Sequence, residues 1–110
     1  MEKFSLTALA RQHIEQAGAA SSGRSSSTVF GGHEHVLRQT MIALTAGQQL
    51  DEHENPGEAT VYVLKGRVRL TAGANSWEGS AGDLLIVPDS RHTLDALETA
   101  AVLLTVAKLA

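Results

Sequence analysis

Along the chain, the spacing of hydrophobic positions changes once. Over residues 5–17, Leu6, Leu9, Ala10, His13, Ile14 and Ala17 recur at helical spacing, which predicts a short amphipathic helix. Ser5 suits its N-cap and Gly18 its C-terminal stop. The small polar stretch 18–27, GAASSGRSSS, reads as a flexible linker. It leaves the helix able to pack on its own domain or on a neighbouring subunit. From Thr28 onward, short β-prone runs are separated by Gly, Pro, Asn and Asp. Strands are expected near 28–30, 35–44, 49–53, 59–65, 67–72, 75–78, 83–87, 91–96 and 100–108, at the spacing of a sandwich or barrel. Gly66, between VYVLK and RVRLT, predicts a tight bend where two strands reverse. Val68 and Leu70 alternate with Arg67 and Arg69, so that strand has one wet face. Residues 61–64, Val-Tyr-Val-Leu, are apolar on both faces. One face should line a barrel, and the other needs cover from the helix or from a second subunit, so a homodimer is expected.

Composition narrows the classes. A chain of 110 residues supports one domain, read as a helix and linker over 1–27 and a β domain over 28–110. The absence of cysteine excludes disulfides, thiolate metal sites and cysteine nucleophiles. A net charge of −3, no cluster of Lys or Arg and only 4% aromatic residues argue against a nucleic-acid partner. No apolar run reaches the roughly 18 residues that a membrane helix needs. The N-terminus lacks the apolar core of a signal peptide, and a cytoplasmic location is the expectation.

Two segments carry a family resemblance. The first runs Gly47-Gln-Gln-Leu-Asp-Glu-His53-Glu-Asn55-Pro-Gly-Glu58-Ala59-Thr-Val-Tyr-Val-Leu-Lys-Gly66, and the second Gly82-Asp83-Leu-Leu-Ile-Val-Pro88-Asp-Ser-Arg-His92. Their spacing of Gly, His, Gly and then Gly, Pro, His resembles the cupins. The resemblance implies an all-β fold, a single jelly-roll barrel of the RmlC-like kind, preceded here by the short α-helix. In a typical member, two His and a Glu of the first motif and one His of the second hold a divalent metal. Here Asn55 stands at the second His position and Ala59 at the Glu position. Glu58 is one residue off, which along a strand turns it to the opposite face unless 54–58 bulges.

The resemblance therefore leaves His53 and His92 as candidate ligands of a divalent Fe, Mn, Ni or Zn, completed by Asn55, Glu58 or water. A competing reading has both imidazoles hydrogen-bonding a ligand without metal. His33 and His35, read on an extended segment, point the same way, with Gln39 and Met41 beyond them. They form a candidate chelating pair, or a polar loop at the barrel mouth. Small-molecule binding at the mouth is the expected role, with Asn55, Glu58, Met41 and Gln39 as ligand contacts. A metal-dependent oxygenase or isomerase, and a non-catalytic structural or sensing dimer, are the alternatives. Whether the chain is an enzyme stays open, because the barrel hosts many chemistries.

Overall fold

A computed structural model describes residues 2–53 and 57–108. One helix, α1 (Leu6–Ala19), precedes nine strands: β1 (Arg24–Phe30), β2 (Leu37–Leu44), β3 (Gln49–His53), β4 (Gly57–Lys65), β5 (Arg67–Ala72), β6 (Asn75–Ser80), β7 (Leu84–Ile86), β8 (His92–Ala96) and β9 (Ala100–Lys108). They form two sheets, ordered β1-β2-β9-β4-β7 and β3-β8-β5-β6, with antiparallel pairing throughout. This is the jelly roll. Alternate residues of both sheets meet between them: Ile42, Leu44, Val61, Val63, Val68, Leu70, Leu94 and Val102 form the main core.

The outer face of the five-stranded sheet carries a second core. Met41, Ala101 and Leu103 are buried there beneath Ala10 of α1, with Leu6, Leu9 and Ile14 packed around them. Neighbours along β2 and β9 thus serve opposite cores: Met41 lies under the helix and Ile42 between the sheets. The helix covers only part of this face. Leu64 packs against the helix cluster, whereas Tyr62, two residues earlier on β4, remains exposed.

Ser5 caps α1 by accepting the Ala8 N–H at 3.2 Å. The expected stop at Gly18 is corrected. The helix runs on to Ala19, and the left-handed turn falls at Gly23 (φ 68°), whose N–H donates to the Ala20 carbonyl at 3.0 Å. The reading of 24–27 as linker is also corrected. Arg24–Ser27 open β1, which pairs with β2 from Arg24↔Leu44 onward. The serines belong in a strand because a histidine faces them. His13 is 6% exposed. Its Nδ1 lies 2.7 Å from Ser25 Oγ and its Nε2 2.8 Å from Ser27 Oγ. Ser25 gives its own proton to Gln16 Oε1 at 2.7 Å. Ser25 therefore accepts from Nδ1–H, and in the neutral ring Nε2 accepts from Ser27. His13→Ala should destabilise the fold by about 1–3 kcal/mol, read as a lower urea midpoint at unchanged slope. An unchanged midpoint would show that the pin contributes nothing.

Gly66 does not close a hairpin. β4 and β5 lie in different sheets, and Gly66 is the corner where the chain crosses between them. Its φ of +80° and its closeness to Thr99 and Ala100 reserve the position for glycine. The wet face of β5 is as expected: Val68 and Leu70 are buried, while Arg69 reaches Glu78 at 3.1 Å on the outside.

Candidate functional site

The candidate site lies where β3 and β8 pair. Gln49↔Asp95 and Leu50↔Leu94 keep one register, which shifts by one residue before His53. Continued without the shift, that register would set His53 opposite Arg91. With it, His53 stands directly opposite His92. Only the backbone of His53 is described, and Asn55 lies outside the described residues.

His92 opens β8 and is buried, at 6% exposure. Its Nδ1 is 2.8 Å from the Ser90 carbonyl oxygen. A carbonyl only accepts, so Nδ1 carries the proton and, in the neutral ring, Nε2 is the lone-pair nitrogen. The turn that places Ser90 is itself held by its N–H on the Pro88 carbonyl at 2.9 Å. Gly82, Pro88 and His92 are the residues that carry the second motif, and the Ser90 carbonyl is the atom orienting His92 that reading residue types missed. A main-chain oxygen leaves no mark in side-chain chemistry. The only signal was the short spacing from Pro88 to His92.

Behind His92 the interior is apolar and nearly full. Ile42, Leu50, Val61, Leu70, Leu94 and Val102 help enclose a cavity of about 20 Å³, room for about one water molecule. The volume between the sheets is thus core, and any ligand larger than water belongs at its open end.

The remaining candidates disperse. Ala59 packs against the main core, so the position that resembles the family's Glu does face inward, but as a methyl group. Glu58 is exposed on the opposite face, and β4 keeps an unbroken register with β9 from Gly57 to Val63, so no bulge turns it inward. It lines an outer groove of about 620 Å³ with Asp89, Thr60 and Thr105. Met41 and Gln39 are corrected as mouth contacts. Met41 is wholly buried under α1, and Gln39 is on the same outer face, donating to Thr105 Oγ1 at 3.3 Å. His33 and His35 are corrected as an extended chelating pair. Strand β2 begins only at Leu37, and the His35 N–H closes a turn onto the Gly32 carbonyl at 3.2 Å. Both are exposed, and the His35 ring rests on Phe30 with centroids 4.9 Å apart. Among the described residues, no group of three or more His, Asp or Glu converges as a metal cage.

Comparison with known proteins agrees with this architecture. The model of the Cupin domain family matches residues 40–107. No curated protein matches the sequence. Among solved structures, a conserved protein of unknown function from Streptococcus pyogenes is 27% identical, with a TM-score of 0.74 over 83% of this chain and 79% of that one. A cupin superfamily protein from Desulfitobacterium hafniense is 16% identical, with a TM-score of 0.72 and 78% of each chain covered. An RmlC-like cupin from Desulfovibrio desulfuricans is 24% identical, with a TM-score of 0.67 over 76% of this chain and 81% of that one. At these identities the last two speak for the fold alone. With the family model spanning more than half of the chain and the jelly roll described above, this protein belongs to the cupin family.

Proposed function

We propose that this chain binds a small polar molecule at the open end of the barrel, with His53 and His92 as its anchors. The observation that carries the reading is the fixed His92 imidazole. It is buried, held by the Ser90 carbonyl, and set in register with a second histidine across the β3–β8 pair. The apolar interior behind it acts as scaffold, excluding water and stiffening the polar anchor.

A metal-dependent oxygenase or isomerase is the second reading. It is favoured by the same Nδ1–H bond, because a ring held through one nitrogen is oriented to coordinate through the other. The donor set fits it poorly. Ala59 stands in the carboxylate's place, and no metal cage forms among the described residues.

One experiment separates the readings. The protein is purified without a histidine tag, and its metal content is measured beside His53→Ala/His92→Ala. The His92 ring signals are then followed by NMR against a panel of small carboxylic acids and sugars. The expected result is metal well below one per chain, with His92 shifts that saturate for a subset of the panel. About one metal per chain, lost in the double variant, would move the metalloenzyme reading ahead. Neither metal nor saturable shifts would overturn both and leave the structural role.

A further inference from the structure

We propose that Ser27, with His13 behind it, is a second reactive centre, one that takes an acyl group from an uncharged carboxylic ester. It lies on the outer face of β1, away from His53 and His92. Ser27 pairs there with Met41, whose side chain lies under α1. Four side chains pass hydrogen bonds in one direction. Ser25 gives its proton to Gln16 Oε1 at 2.7 Å, so its oxygen accepts from His13 Nδ1–H, also at 2.7 Å. The lone pair of the neutral ring is then on Nε2, 2.8 Å from Ser27 Oγ, and Ser27 donates to it. A hydroxyl aimed at an imidazole lone pair, with the other ring nitrogen held by a third group, is the arrangement that activates a nucleophile. Exposure divides the pair as this chemistry needs: the base is buried, and the serine stands open to solvent.

The surroundings supply an oxyanion donor and a seat for the acyl chain. β1 is the edge strand of its sheet. The Thr45 N–H donates to the Gly23 carbonyl, which fixes the alternation of the β1–β2 ladder. The amides of Ser25 and Ser27 face β2, and those of Ser26 and Thr28 face the open edge. These two flank Ser27 and can donate to a carbonyl oxygen as it gains charge. Two residues on from Ser27, roughly 7 Å at strand rise, Val29 lines an open recess of about 460 Å³ with Phe4, Phe30 and Leu37. Its walls suit an apolar acyl chain, and the Glu2 carboxylate among them disfavours an anionic one. In the reaction, Ser27 Oγ bonds to the ester carbonyl carbon and its proton passes to Nε2. The bond to the leaving oxygen breaks, and Nε2 gives that oxygen the proton, leaving acyl-Ser27 and an alcohol. Water then attacks the acyl carbon and gives Nε2 a proton; the bond to Oγ breaks, Oγ recovers the proton, and the carboxylic acid departs. The hydrogen-bond chain ends on the neutral Gln16 amide, so the imidazolium formed midway is poorly balanced and turnover should be slow.

The probe is p-nitrophenyl butyrate. The wild type should release p-nitrophenolate in a burst and carry a butyryl group on Ser27 by peptide mass spectrometry. Ser27→Ala, at an exposed position, should lose the adduct and react at least about tenfold more slowly. Because His13 also holds the fold, Gln16→Glu carries the test of the relay. A carboxylate at the end of the chain balances the imidazolium, and the burst should quicken at least about threefold. A network that only pins α1 to β1 would leave the rate unmoved by either change. A p-nitrophenyl ester whose acyl chain ends in a carboxylate should react more slowly than the butyrate. Adducts spread over lysines and other histidines with Ser27 unlabelled would overturn the proposal. So would a Ser27→Ala rate equal to that of the wild type, or no gain in Gln16→Glu. Thermal melts confirm that the chains compared are folded.

Discussion

Gly66→Ala is expected to lower stability by about 3–5 kcal/mol, a large part of what a domain of this size possesses. Two costs combine. At φ +80° a side chain meets its own backbone, worth roughly 1–2 kcal/mol. A Cβ there would also collide with the Thr99 carbonyl oxygen and lie 2.8 Å from the Ala100 Cα. Neither atom can move alone, because Ala100 opens β9, the strand paired with both β2 and β4. Ala100 is also part of the main core. Relief at the corner must therefore disturb the sheet register or open the core. The control is Gly82→Ala. Gly82 has a similar φ of +94° but nothing within 4 Å of its Cβ, so it should show the backbone cost alone. Thermal unfolding of the pair separates the terms: a Tm loss beyond about 12 °C for Gly66→Ala, and less than half of that for Gly82→Ala. Equal losses would mean that the corner yields without strain.

That corner also marks a limit of reading the chain residue by residue. A glycine between two β-prone runs announces a change of direction, and the sequence carries that clearly. A hairpin and a sheet-to-sheet crossing share this local chemistry. They differ only in whether residues 67–72 pair with 59–65 or with distant strands, and here β5 pairs with β6 and β8. The strands from β2 onward were legible because they alternate between core and surface or run apolar through both faces. β1 was not, because its serines look like linker until His13 and Gln16 are set against them. The site was legible in part. Motif spacing brought His53 and His92 into consideration and marked Ala59 as inward. The one-residue shift that sets the two histidines opposite each other belongs to a pairing between strands distant in sequence. No local pattern encodes it.

Met41→Ala should cost about 2–5 kcal/mol, the range for emptying a closed core site of a long aliphatic side chain. The result bears directly on which face of β2 looks into the barrel. Alternation along residues 37–44 separates two faces but does not say which is inner, because each is apolar for its own reason. Ile42 and Leu44 face the main core, while Met41 meets α1. A sheet with one wet face would have shown its polarity in sequence. This one, covered on one side by its partner sheet and on the other by a helix, does not. If Met41 contacted a ligand at the mouth, its truncation would weaken binding and barely change stability. Under the helix the outcome reverses. The melting temperature falls, amide exchange of α1 accelerates, and the His92 ring responds to small acids and metals as in the wild type. Met41→Leu, which keeps nearly the same volume, should cost less than about 1.5 kcal/mol and restore helix protection. A Met41→Ala variant that stays stable while the His92 response is lost would reverse the assignment of faces along β2.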